Sequence, residues 1–307
     1  MPFLDGLPHK EQRRQVARVF QKEFKAFLPR LTALAEEAVA ALHEEVKVIH
    51  DFAHPFALKM ICEILGIPVD ERLRVWSGSF FYLFTKIPSA AVREEVDEHL
   101  SAFRSWVIAC FRTPDKSGVL AALSDLVQAG DLPEPVAVDT IILLFADGLE
   151  NVDSGIGNAL LAFARNPSEW DKLRGKENLI PRAVEEILRY DSPAQYIART
   201  CLEDFSWQGH HFKKDLTVIL LLASANHDPE VFDSPESFNL SRSPNPHLSF
   251  GHGKHSCLGS RLVEHELTAI LFALRKRVRK IILAGEIRWQ TRTGHRWMEE
   301  GHFRLSN

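Results

Sequence analysis

The stretch Phe250-Gly-His-Gly-Lys-His-Ser-Cys257-Leu-Gly259 decides how the rest of this chain is read. Directly after it runs Ser260-Arg-Leu-Val-Glu-His-Glu-Leu-Thr-Ala-Ile-Leu271, a helical pattern with Leu262, Leu267, Ile270, Leu271 and Leu274 on one side. Cys257 therefore falls at the end of a glycine-rich loop, just where a helix begins. The helix N-terminus and the free amides of such a loop stabilise negative charge on sulfur. Gly251, Gly253 and Gly259 let backbone approach a flat ligand closely.

A cysteine thiolate held this way is one of the few ligands of haem iron, and the one that pushes electron density toward O–O cleavage. The competing reading is a buried, inert cysteine ahead of a helix. The phenylalanine, the glycines and the helix weigh against it, since each has a mechanical reason at its position. The stretch resembles the haem-binding loop of the cytochrome P-450 superfamily. The resemblance implies a mainly α fold with small β-sheets and one haem-binding domain over residues 1–307. It implies haem b (iron protoporphyrin IX) between a long central helix and the helix after Cys257. Iron would be bound by the Cys257 thiolate, with Phe250, Gly251 and Gly259 forming the cofactor loop. Family members are considerably longer at the N-terminal side. The expectation is thus a cytochrome P-450-like fold lacking its N-terminal helices and largest sheet.

The bulk properties agree with a large globular core. The 307 residues are 45% hydrophobic and 25% charged. A net charge of −4 implies no general affinity for nucleic acid. Cys62, Cys110, Cys201 and Cys257 are widely spread, with neither zinc-ligand spacing nor the density of a disulfide scaffold, which fits a reducing cytoplasm. No apolar run reaches the ~18 residues of a membrane span, and the N-terminus has no apolar signal core. The chain reads as cytoplasmic, with no membrane and no nucleic-acid partner.

Residues 7–42 are helical in pattern, with Val16, Val19, Phe20, Phe24 and Phe27 recurring. Pro29 interrupts the pattern, which predicts two helices. Asp51 to Pro68 reads as an amphipathic helix stopped by Gly66 and Pro68, with Cys62 as a core residue. The segment from Val75 to Arg112 is aromatic-rich and reads chiefly as core packing between long helices. Pro135 to Arg165 predicts one long helix whose apolar run is interrupted by Gly148, Gly155 and Gly157. Each glycine costs about 1 kcal/mol against alanine, so something should need it, and a flat cofactor against the helix would. Gln195 to Leu222 predicts short strands and a hairpin turning at Gln208-Gly209. Ala223 onward predicts a helix ending near Pro229, then an irregular loop. Ile281 to Asn307 reads as short strands and does not resemble the family's usual ending.

Several residues acquire roles through the resemblance. His9 and Arg13, four apart on one helical face, match the family's contacts to a haem propionate, as do Arg199 and His255. Without it, His9 and Arg13 read as a basic solvated face and His255 as an exposed histidine. Ala146-Asp147-Gly148-Leu149-Glu150-Asn151 matches the oxygen-activation motif of the central helix, which makes Asp147, Gly148, Glu150 and Asn151 the catalytic candidates. The match departs at Asp147, usually a small residue, and at Asn151, usually a threonine that helps deliver protons. An amide positions water but relays protons poorly. Glu186 and Arg189, at i and i+3, resemble the family's buried Glu-x-x-Arg pair. Ser237 stands where a third arginine is usual, with Arg242 as the possible substitute.

The resemblance implies a monooxygenase that oxidises a small organic substrate with O2 and electrons from a ferredoxin- or flavodoxin-type partner. Two alternatives stay open. One is a haem-thiolate enzyme that uses peroxide or rearranges its substrate without external electrons. The other is a non-catalytic haem-binding subunit of a complex. A homodimer, or a partner chain covering the missing part, is also expected, with the stretch from Trp76 to Phe84 as part of the contact surface.

Overall fold

The computed structural model describes residues 4–84, 89–292 and 294–306. The fold is mainly helical with small antiparallel sheets, as expected. Helix α1 (Gly6–Ala40) runs unbroken through Pro29. A proline inside a helix costs about 3 kcal/mol in a lost hydrogen bond and a clash. Here Phe20 and Phe24 before it and Leu31, Leu34 and Ala35 after it are all buried, so packing of the whole face offsets the break. The two-helix expectation is thereby corrected. Strand β1 (Glu45–Lys47) and one wide turn of π-helix (Val48–Ala53) lead into α2 (His54–Leu65), which ends at Gly66 with φ of 73°.

Helices α3 (Arg72–Phe80) and α4 (Ala90–Arg112) bring the aromatic-rich stretch together. Trp76, Phe80 and Phe81 are buried. Trp76 stacks on Phe103 at 5.7 Å, and Phe81 meets the edge of Trp297 at 4.5 Å. These three rings therefore pack within this chain, while Leu83 of the same stretch is exposed. The side chain of Phe84 is outside the described residues.

Helix α5 (Gly118–Gln128) precedes α6 (Glu134–Arg165), the predicted long helix, which crosses the middle of the molecule and buries residues on nearly all sides. For two of its three glycines the reason differs from the expectation, while a Cβ at Gly155 would meet nothing within 4 Å. A Cβ at Gly148 would come within 2.7 Å of Ile61 of α2, and one at Gly157 within 3.1 Å of Met298. Both admit a neighbouring side chain, so helix packing accounts for them.

Helices α7 (Pro167–Gly175) and α8 (Ile180–Tyr190) follow. Strands β2 (Ile197–Thr200) and β5 (Thr217–Leu220) pair antiparallel, Arg199 opposite Val218. Between them β3 (Phe205–Trp207) and β4 (His210–Phe212) form the predicted hairpin. Helix α9 is only Leu222–Ala225, shorter than expected, and irregular chain leads to the cysteine loop. Helix α10 (Ser260–Arg277) packs on α1 and α8. The tail forms two long strands, β6 (Lys280–Trp289) and β7 (Met298–Ser306), in a sheet ordered β1-β7-β6.

Candidate active site

The cysteine loop is built by its glycines and by hydrogen bonds to its own backbone. Gly251 and Gly253 have φ of 65° and 81°, a region that other residues enter only with strain. The Gly251 amide donates to the Leu248 carbonyl, Ser256 to Gly253 and Cys257 to Phe250, which closes the loop under the start of α10. Of the four cysteines, Cys62, Cys110 and Cys201 are buried and Cys257 alone is open to a solvent-sized molecule. Yet Cys257 is deep, with protein on most sides. It therefore sits at the bottom of a cleft. Burial, with the carboxyl of Asp147 across the cleft, pushes its thiol up to about 11, while the amides of Gly259 and Ser260 pull the other way. A bound metal cation reverses that balance and deprotonates the thiol.

The loop is clamped to the start of α1. Asp5 accepts a hydrogen bond from the Gly6 amide at 2.8 Å and binds Lys254 Nζ at 2.6 Å, so one carboxylate caps the helix and grips the loop. Its pKa is lowered chiefly by the Lys254 hydrogen bond. Arg13 donates to the Ser256 carbonyl. The rings of His9 and His255 lie 4.1 Å apart. Burial lowers the pKa of both histidines. His255 and Arg13 lower His9 further, and Arg199 does the same to His255. The four residues expected to hold an anion are thus gathered near Cys257, two arginines beside two histidines whose positive form is disfavoured there.

Along α6, Asp147 is exposed to the cleft, and the protein packed around it nonetheless pushes its carboxyl upward. Burial and the neighbouring Asp153 lift Glu150 to about 7. Asn151 is fully engaged. Its Nδ2 donates to the Asp147 carbonyl at 3.2 Å, and its Oδ1 accepts from Trp297 Nε1 at 3.3 Å. Trp297 is a participant that sequence reasoning missed. So is His54, whose Nδ1 lies 2.8 Å from Asp153 Oδ2. The only sequence signal for this pair is Asp153 three residues beyond Glu150.

Behind the loop, Glu186 and Arg189 form a bidentate ion pair, Nε to Oε2 at 2.8 Å and Nη2 to Oε1 at 2.9 Å, both fully buried. Arg242 supplies the third member, its Nε 3.0 Å from Glu186 Oε2, while Ser237 contributes only its carbonyl, to Arg189 and Arg242. Asn226 and Ser249 tie this cluster to the loop. Asn226 Nδ2 donates to Ser249 Oγ, Ser249 Oγ donates to the Leu188 carbonyl, and the Leu248 amide donates to Asn226 Oδ1. A separate recess of about 530 Å³, lined by Phe27, Arg30, Cys62 and Cys110 among others, takes no part in this arrangement.

Comparison with known proteins gives a consistent result. The cytochrome P450 family matches residues 112–278. The biotin biosynthesis cytochrome P450 of Bacillus subtilis (strain 168) is 36% identical over 292 residues, which is 90% of this chain and 74% of that protein. The 20-oxo-5-O-mycaminosyltylactone 23-monooxygenase of Streptomyces fradiae is 32% identical over 253 residues, 81% of this chain and 59% of that one. The solved structure of P450BioI in complex with hexadec-9Z-enoic acid ligated acyl carrier protein superposes with a TM-score of 0.91 at 32% identity. It covers all of this chain and 82% of its own.

Proposed function

The chain belongs to the cytochrome P450 family and is an oxidoreductase of that type, and from this premise we propose that it holds haem b between α6 and the Cys257 loop. One observation carries the proposal. Cys257 opens into a cleft opposite Asp147, while His9, Arg13, Arg199 and His255 gather beside the same loop. The donor set suits the group: a thiol for iron, and two arginines with two histidines whose lowered pKa values a pair of carboxylates would raise again. When bound, the haem supplies the iron at which oxygen is activated. Phe250, Gly251 and Gly259 shape the loop around the thiolate. Asp147, Gly148, Glu150 and Asn151 lie on the helix across the cleft, where Glu150 can hold and release a proton near neutral pH.

On this reading the chain is one haem-binding unit over residues 1–307, working in the cytoplasm. It oxidises a small organic substrate with O2 and electrons from a ferredoxin- or flavodoxin-type partner. Among the described residues no helix is long and apolar enough to cross a membrane. The likeness to P450BioI makes an acyl chain on a carrier protein the first substrate to test. The Asn151 amide favours a second reading, use of peroxide or rearrangement without external electrons, since both its ends are hydrogen-bonded and its N–H protons do not titrate. Leu202, Phe205, Trp207 and Leu221 form an exposed apolar patch around the hairpin. We propose that a second copy or another polypeptide covers it, which light scattering of the holoprotein tests.

The deciding experiment is the reduced carbonyl spectrum. The protein should show the strongly red-shifted Soret band of thiolate-ligated haem. Cys257→Ala should lose it, and Cys62→Ala, Cys110→Ala and Cys201→Ala should keep it. An unaltered band in Cys257→Ala removes the assignment. Turnover with a reductase system or with peroxide then separates the readings, and haem binding with neither points to the non-catalytic subunit.

A further inference from the structure

Building on that reading of the cleft, we propose that Asp153 and His54 extend the acid of the central helix into a buried proton-carrying row. The row runs from the cleft, where Asp147 is exposed, through the buried Glu150 and Asp153 to His54 on α2.

The helix itself lays the row out. Residues three apart on an α-helix step about 4.5 Å along the axis and about 60° back around it. Asp147, Glu150 and Asp153 therefore wind about 120° around α6. They begin on the side where the Asp147 carboxyl acts on the Cys257 thiol and end where Asp153 meets α2. Glu150 and Asp153 are buried, and burial raises the pKa of both carboxyls. At the far end His54 Nδ1 lies 2.8 Å from Asp153 Oδ2, both side chains nearly buried.

The second Asp153 oxygen makes the pair unlike a structural one. Oδ1 is buried and has no hydrogen-bond partner among the described residues. Leaving a buried acceptor unpaired costs about 1–3 kcal/mol. Glu186 by contrast is fully bonded, while Glu266 of α10 leaves both buried oxygens unpaired; Asp153 differs from Glu266 in having His54 Nδ1 at 2.8 Å. The free oxygen of Asp153 is thus an open acceptor position for a water between it and Glu150. The charged groups acting on Glu150 are Asp153, Arg292, His54 and Arg74, and those acting on Asp153 are His54 and Arg74. Asn151, the side chain next to Glu150 in sequence, is held by Trp297 and the Asp147 carbonyl and is not a link in the row.

The transfer moves protons only. His54 Nδ1 gives a proton to Asp153 Oδ2, Asp153 passes one through a bridging water to the Glu150 carboxylate, since no direct hydrogen bond joins the two, and Glu150 gives one to the reaction in the cleft. His54, which keeps 9% of its surface, regains its proton from solvent. Asp153 and His54 are positioning residues that act through Glu150.

The test uses the holoprotein and its His54→Gln and Asp153→Asn variants. His50→Gln, on an exposed His–Asp pair, is the control. The first readout is an infrared titration of the Glu150 carboxyl, identified by its loss in Glu150→Gln. Asp153 raises this group and His54 lowers it. The midpoint should therefore move down in Asp153→Asn and up in His54→Gln, by about half a pH unit or more, and stay put in His50→Gln. An unmoved midpoint in both folded variants overturns the row, and if one variant does not fold the other decides. The second readout is product formed per electron consumed, as a function of pH. Both variants should lose about tenfold in coupling, while Asp153→Glu recovers part of it. Coupling equal to that of His50→Gln across the pH range also overturns the row. If the parent protein shows no turnover at all, the monooxygenase reading fails, and the infrared titration still decides the row.

Discussion

Glu186 and Glu150 are both carboxylates buried on helices near the candidate haem site, and their surroundings differ in one respect. Glu186 accepts from Arg189, Arg242, Asn245 and the Asn239 amide, so every direction around it is filled. Glu150 has cationic residues only at a distance, and its nearest acidic neighbour, Asp153, keeps a buried oxygen without a partner. Equal burial therefore serves opposite ends. A saturated carboxylate is locked in charge and place and acts as a structural tie. An unsaturated one is left near the pH at which it exchanges protons, which is what proton delivery requires.

The sharpest way to break this comparison is to cut the saturated cluster. Arg189→Leu leaves Glu186 charged, buried and facing a single remaining arginine. The expected loss is about 3–5 kcal/mol in denaturant unfolding, enough to abolish soluble protein at 37 °C. A stable, haem-retaining Arg189→Leu protein would show that the cluster is not a tie. The next effect concerns the unsaturated group and has the reverse sign. The folded-state pKa of Glu150 is raised from 4.5 to about 7, so the folded state binds more protons than the unfolded one, and stability falls as pH rises between those values. Glu150→Gln should therefore stabilise the protein at pH 8, by on the order of 2–3 kcal/mol, and have little effect near pH 4.5. Melting curves at the two pH values check this, and a gain of equal size at both contradicts it.

Smaller effects sharpen the contrast around the cleft. Arg13→Leu and Arg199→Leu should each weaken haem retention, through charge-assisted bonds of about 1.5–3 kcal/mol. Haem transfer to apomyoglobin measures this, and unchanged loss rates in the double variant would remove the propionate assignment. Asn151→Thr should cost stability by about 1 kcal/mol, because the Trp297 indole loses its acceptor. If oxygen chemistry is limited by proton delivery at this position, the same change should raise coupling. Equal coupling would place the limiting step elsewhere.

Much of this arrangement was legible along the chain. The cysteine loop, the helix after it, the long α6 and the Glu186–Arg189 pair were all readable from local spacing. The reading of Pro29 failed because a local helix-breaking cost was outweighed by burial along the whole length of α1. Within the stretch from Trp76 to Phe84 expected as part of a contact surface, Trp76, Phe80 and Phe81 are buried and Leu83 is exposed, because aromatics alone do not say which side they face. The reading of Gly148 as room for a cofactor missed that Ile61, far away in sequence, takes that room.

The division has a physical basis. Sequence by itself determined whatever is set within one turn or one loop. Cys257 stands at a helix start, Gly251 and Gly253 take conformations that only glycine adopts easily, and Glu186 reaches Arg189 at i+3. Tertiary structure alone decided the contacts between elements. It chose Arg242 rather than position 237 to complete the ion cluster, and it set Trp297 on Asn151 and Asp5 on Lys254. It also brought His54 to Asp153 across 99 residues of chain. Periodicity and short spacings describe the geometry of a single element. Which two elements meet, and which polar atom is left unpaired where they do, depends on the packing of the whole core.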